Sequence, residues 1–190
     1  CSAVLSASEV AIEWHPLFSG IEQTAIMTGE QTDSPLALYA LRVNLDAPGI
    51  AFFSTPPNGD TPLETDSQPT EIFLKEHKLA AAINANFFSP CCAGQMEPKD
   101  AIGLVVSNGQ LVSPNDWTKG DAGSAILGIT SDNHAGLYRA GDAMPVETFQ
   151  NAVAGGPLLL AGGNALFEEG GARHPRTAVG LSQDKRILYW

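Results

Sequence analysis

Basic residues are scarce in this 190-residue sequence: 10 Lys and Arg stand against 21 Asp and Glu, for a net charge of -11. A protein that grips nucleic acid needs a basic face to neutralise phosphates, so that class of partner is excluded, while a small local anion site is not. Long apolar runs are also missing, and none approaches the roughly 20 residues that a helix needs to span a bilayer. Cysteine is limited to Cys1, Cys91 and Cys92, and the adjacent pair lacks the spacing of a zinc site. There is no P-loop, no nucleophile elbow, no H-E-x-x-H pair and no internal repeat. No metal or cofactor is expected. The carboxylates are scattered, and spacing selects no acid/base pair among them.

What is present is apolar content and turn residues. The chain is 44% hydrophobic, only 16% charged, and holds 19 Gly and 13 Pro. That is enough for one sizeable core and reads as a strand-rich, turn-rich domain. The expected class is α+β, with a mixed, mostly antiparallel sheet and few helices. Residues 1–20 read as an N-terminal lead-in or tether, and 21–190 as the domain. Cys1-Ser2-Ala3 reads either as the mature start of a bacterial lipoprotein, with Cys1 carrying the lipid, or as a plain boundary. The first reading makes the protein exported, to the periplasm, the outer membrane or the medium. Cys91-Cys92 reads as a vicinal disulfide, a free pair, or a partner of another segment.

Alternation of apolar and polar residues predicts strands over 21–27 and 36–45, where Arg42 and Asn44 separate Leu41, Val43 and Leu45. Further strands are expected over 50–54, 79–83, 101–107, 110–113, 124–129, 135–139, 152–154, 177–181 and 185–190. Residues 55–68 read as a loop around Pro56-Pro57-Asn58-Gly59-Asp60. The helix candidate is 69–78, with Pro in its first turn, Glu71 early and Lys78 late, as the helix dipole prefers. Asn108-Gly109 between two strand-like runs is a strong hairpin signal, because both residues tolerate positive φ. The apolar run 185–190 reads as an exposed edge that invites pairing.

Three groups are candidates for chemistry. Asn84 and Asn86 lie two apart at the end of an expected strand, so their amides share a face. They either hold sugar hydroxyls or a phosphate oxygen, or satisfy loop backbone. Phe87 and Phe88 after them read as core before they read as a sugar platform. Gly155-Gly156-Pro157 either brings backbone amides close to a ligand or simply bends the chain. Arg173, His174 and Arg176 flank the rigid Pro175, and a guanidinium fork suits phosphate or carboxylate. The alternative is a surface loop whose arginines pair with Glu168 and Glu169.

Taken in order, Ala82-Ile83-Asn84-Ala85-Asn86-Phe87-Phe88, Gly103-Leu104-Val105-Val106-Ser107-Asn108-Gly109, Ala154-Gly155-Gly156-Pro157-Leu158-Leu159 and Pro175-Arg176-Thr177-Ala178-Val179-Gly180 resemble the phosphodiester glycosidase family, over about residues 36–190. The resemblance implies hydrolysis of a sugar 1-phosphodiester, of the N-acetylglucosamine type, releasing the sugar and a phosphomonoester. It implies Arg176 and Asn84 as catalytic residues, and Asn86, Phe88, Gly155, Gly156, Arg173, His174 and Thr177 as substrate ligands. Family members continue into an Asp-Gly-Arg segment and a Leu-Asp-Gly-Gly-Gly-Ser motif that do not follow Trp190. The expectation is therefore an N-terminal part of the domain, with the carboxylate base or nucleophile and a complementary C-terminal segment or chain elsewhere. The alternative is a non-catalytic surface module that binds phosphorylated or anionic glycans.

Overall fold

The computed structural model describes residues 12–28, 36–91, 96–116, 120, 123–166 and 174–190. Strands β1 (His15–Phe18), β2 (Ile21–Thr28) and β3 (Leu36–Asn44) come first. β4 (Thr65–Asp66), helix α1 (Thr70–Glu76), β5 (Phe88–Ser89) and β6 (Pro98–Ala101) follow. Next are β7 (Val105–Ser107), β8 (Gln110–Ser113), β9 (Ala125–Thr130), β10 (Ala135–Arg139) and β11 (Phe149–Gly155). β12 (Leu160–Ala161), β13 (Asn164–Ala165), β14 (Gly180–Leu181) and β15 (Ile187–Tyr189) complete the order. The strands form two five-stranded sheets, ordered β1-β2-β3-β15-β14 and β10-β9-β11-β7-β8, a three-stranded sheet β4-β6-β5, and the pair β12-β13. The fold is mostly antiparallel sheet with one short helix. Every pairing among the described residues is antiparallel, so the parallel component of the expected mixed sheet is not found there.

The two large sheets bury their apolar faces against each other. Ile21, Val43, Leu45 and Leu188 from the first pack with Leu127, Ile129 and Ala135 from the second. Alternation in β9 turns Ile126 to the opposite face, where it joins Leu104, Val106, Phe149, Ala152 and Ala154 in a second cluster. The β10-β9-β11-β7-β8 sheet is thus buried on both sides, which is why its strands read as nearly continuous apolar runs. At Gly128 this cluster leaves no room: a Cβ there would lie 2.4 Å from Cζ of Phe149.

Several local expectations hold. Asn108 and Gly109 both take positive φ, 49° and 76°, between β7 and β8. Pro69 stands immediately before α1, with Glu71 in the first turn and Lys75 in the last, joined at 2.6 Å. The helix is shorter than its sequence pattern, and Lys78 falls beyond it with φ 54°. Phe73 and His77 carry it against Phe53, with ring centroids at 5.7 and 4.7 Å.

Others are corrected. Residues 50–54 are extended but join no ladder. Their polar groups are satisfied by side chains: Asn151 Oδ1 accepts from Ser54 N at 3.1 Å, and Asn151 Nδ2 donates to Phe52 O at 2.9 Å. Ser54 Oγ donates to Val106 O at 2.5 Å, and Ser107 Oγ donates to Ser54 O at 2.7 Å. Residues 79–83 are not a strand either, and none of them is buried. The run 185–190 is not an edge: β15 lies between β3 and β14, and Leu188 is 0% exposed. His15–Phe18, read as part of a lead-in, form strand β1 at the edge of the first sheet. Cys91 is disulfide-bonded; Cys1 and Cys92 lie outside the described residues.

Candidate active site around residues 84–88

The four motifs of the sequence meet along one extended segment, residues 84–88. Asn84 Oδ1 accepts a hydrogen bond from Thr177 Oγ1 at 2.7 Å, across 93 positions of chain. Asn86 Nδ2 lies 3.1 Å from Ile102 O, 3.5 Å from Gly103 O and 3.3 Å from Leu104 O. Its Oδ1 accepts from Ala154 N at 3.0 Å. Ile102 N donates to Phe87 O at 2.8 Å, and Phe88 pairs with Ala101 in the β5–β6 ladder. One stretch of five residues therefore touches the Gly103 motif, the Ala154-Gly155-Gly156 motif and the Arg176-Thr177 motif.

Backbone geometry makes this convergence possible. Gly103 has φ 82°, and a Cβ there would meet Ala154 Cβ at 2.9 Å and Gly123 Cα at 2.9 Å. Only glycine allows that approach without displacement. Asn86 then bridges the turn at Gly103 and the end of β11, taking up backbone carbonyls that no strand partner reaches. Gly155 and Gly156 differ from Gly103. A Cβ at either would meet nothing within 4 Å, so packing does not require them, and their side of the strand end is open. Gly155 O accepts from Gly123 N at 2.8 Å.

Asn84 and Asn86 do not form a matched pair. Asn86 is committed to four backbone groups, whereas Asn84 is exposed and bonded to one hydroxyl. Phe87 and Phe88 are not core: they are 52% and 40% exposed. The two-residue strand β5 lies at the edge of its sheet, where little packs over it. Behind Phe88 lies Lys99, 1% exposed, with its Nζ 5.9 Å from the ring centroid and 3.4 Å from Glu97 Oε2. Sequence reading passes over Lys99, because Glu97-Pro98-Lys99-Asp100 looks like solvated loop. In the structure Lys99 and Ala101 are buried and alternate with half-buried Pro98 and Asp100 along β6, a pattern that the residue types do not show.

Arg176 is exposed, and among the described residues its Nη1 donates to the neighbouring Pro175 O, at 3.2 Å. Among the described residues it forms no ion pair. His174 is exposed beside it. Arg173, with Glu168 and Glu169, lies outside the described residues. Recesses beside Ser182-Gln183-Asp184 and between Ile12 and Met27 include none of the residues singled out by the motifs. Among the described residues, no group of three or more His, Cys, Asp or Glu is arranged to hold a metal ion.

The arrangement brings an exposed amide, Asn84, to an exposed hydroxyl, Thr177, whose chain neighbour is the cation Arg176, on a segment held to β11 and the Gly103 turn by Asn86. That suits an oxyanion carried on a hydroxyl-bearing molecule. No match is found among curated proteins or among solved structures. The family comparison gives one finding, over the segment that contains all the converging motifs: residues 77–190 match the phosphodiester glycosidase model, and the chain belongs to that family.

Proposed function

We propose that the protein hydrolyses the glycosidic bond of a sugar 1-phosphodiester, with an N-acetylglucosamine-type sugar as substrate class. The observation that carries this reading is the Thr177–Asn84 hydrogen bond, which holds the Arg176 segment against residues 84–88. As the C1–O bond opens, its electron pair stays on the phosphate oxygen. The phosphate group thereby passes from a singly charged diester towards a doubly charged monoester. A guanidinium at that group binds the departing state more tightly than the substrate, which is the requirement for catalysis. The leaving group is a weak base and needs little protonation. Water supplies the new oxygen on C1, and its proton requires a base, or a carboxylate attacks C1 first. Among the described residues, no carboxylate is hydrogen-bonded to Asn84, Thr177 or Arg176. In this reading Arg176 and Asn84 act at the reacting group. Phe88, Gly155, Gly156, Arg173, His174 and Thr177 line the substrate, and Asn86 supports the segment.

Export belongs to the same proposal. The disulfide at Cys91 supports an oxidising compartment.

Hydrolysis of an aryl N-acetylglucosamine phosphodiester in oxygen-18 water tests the reaction. The label is expected on the released sugar, with the aryl phosphate unlabelled. Label on phosphate would mean P–O cleavage and a different enzyme class. Binding without any product would favour a glycan-binding module.

A further inference from the structure

We infer that Thr177 is a positioning residue that fixes the orientation of the Asn84 amide, so that Asn84 turns its N–H donors to the ligand and recognises the anionic oxygen in preference to a sugar hydroxyl hydrogen. The inference rests on the reading of Arg176 as the anion ligand and extends it. An asparagine amide is two-sided: its oxygen accepts and its NH2 donates. Free in solvent, it serves either kind of ligand group by rotating about its last bond. Here the carbonyl side is occupied. The Thr177 hydroxyl has one hydrogen, and it is given to Asn84 Oδ1 at 2.7 Å. Two consequences follow from that single hydrogen. Asn84 is oriented, with Oδ1 turned to Thr177 and Nδ2, with its two donors, turned away from it. Thr177 is left with lone pairs and no donor, so its oxygen is an acceptor.

Arg176 is bonded to Thr177 through the chain and has donors alone. Asn84 Nδ2 and the guanidinium therefore both offer N–H groups, which is the pattern a phosphate oxygen reads and a sugar hydroxyl does not require. The Thr177 oxygen, hydrogen-bonded to Asn84, suits a donating hydroxyl. A phosphorylated sugar carries both partners, whereas a simple inorganic anion uses only the first. Asn86 cannot exchange roles with Asn84, because both ends of its amide are committed to backbone at Ile102, Gly103, Leu104 and Ala154.

The test is calorimetry with N-acetylglucosamine 1-phosphate on the whole protein and four variants, with thermal unfolding as the control for folding. Thr177 and Asn84 are exposed, so the variants are expected to fold. Thr177→Val keeps the shape and removes the hydrogen, and should weaken binding about tenfold. Thr177→Ser restores the hydroxyl and should bind within about threefold of the native protein. Asn84→Asp replaces donors by a charged acceptor and should weaken binding by about a hundredfold or more. Arg176→Ala should do the same. Native-like binding by Thr177→Val, with Arg176→Ala weakened, overturns the positioning role and leaves the anion site standing. Native-like binding by Asn84→Asp overturns the donor assignment. Equal binding by Arg176→Ala and the native protein, or no binding by either, overturns the anion reading and the inference with it. A side-chain amide spectrum of the unliganded protein gives a separate readout: the Asn84 NH2 signals should shift in Thr177→Val and return in Thr177→Ser, and unchanged signals contradict the hydrogen bond.

Discussion

Asn84 and Asn86 stand two positions apart, and their partners divide them. Asn86 joins the turn at Gly103 to the end of β11 through both ends of its amide. Asn84 meets one exposed hydroxyl. Removing a side chain that satisfies buried backbone leaves those groups without partners, at about 1–3 kcal/mol each. Asn86→Ala is therefore expected to lower unfolding free energy by roughly 2–4 kcal/mol in denaturant titration, while Asn84→Ala stays within about 0.5 kcal/mol of the native protein. Equal losses would show that the two amides share one structural role. The sequence alone treats both residues alike, because each is an Asn beside an apolar residue. The difference lies in contacts across 16 to 93 positions of chain, which local spacing does not encode. Thr177 escaped notice as a positioning residue for the same reason, since only its spatial neighbour gives its hydroxyl a direction.

Among the elements, those built from neighbouring residues were legible. The Asn108-Gly109 turn carries its own conformational requirement and sits where the sequence puts it. Helix α1 has its proline and Glu71 in place but ends before Lys78, and Lys75 is the basic residue of its last turn. Residues 50–54 and 79–83 are apolar in the same way as true strands, yet they join no ladder. An apolar run guarantees neither burial nor a ladder, because both need a partner that the run does not name. The edge expected at 185–190 fails similarly, because β3 and β14 enclose β15. The role of Gly128 also depends on a distant partner. Phe149 covers it, and Gly128→Ala would force the ring or β9 to move, at an expected cost of about 1–3 kcal/mol, read as a lower thermal midpoint. An unchanged midpoint would mean that the ring shifts freely.

The turn between β9 and β10 carries a pH signature. The Thr130 hydroxyl, followed by His134, holds the Asp132 carboxyl down to about 2 from its usual 3.8. The folded state thus favours the ionised form. Its stabilisation is complete above the usual value and is lost as pH falls through 3.8 towards about 2. Asp184, held low first by the Ser182 hydroxyl, adds to the same acid limb. Asp132→Asn should reduce the fall in thermal midpoint across this range without abolishing it. An acid limb identical to that of the native protein would remove Asp132 from the account.

At the scale of the molecule, two antiparallel sheets share a core, and the second sheet buries its other face as well. Residues 84–88 lie against the end of β11 and the turn before β7, so the candidate site is anchored to the most buried sheet. The mostly antiparallel sheet with few helices was readable from composition and alternation, and the order of the motifs from the family resemblance. Their convergence on one segment was not, because it depends on the crossing of β11, β7 and the chain before β14. The claim that unites these scales is that Arg176 takes the diester anion at a site supported from behind. Turnover of an aryl N-acetylglucosamine phosphodiester by the native protein and by Arg176→Ala tests it most directly. The account predicts sugar release by the native protein, a fall of about a hundredfold or more in kcat/KM for the variant, and partial recovery in Arg176→Lys. Equal kcat/KM in the native protein and Arg176→Ala would contradict it.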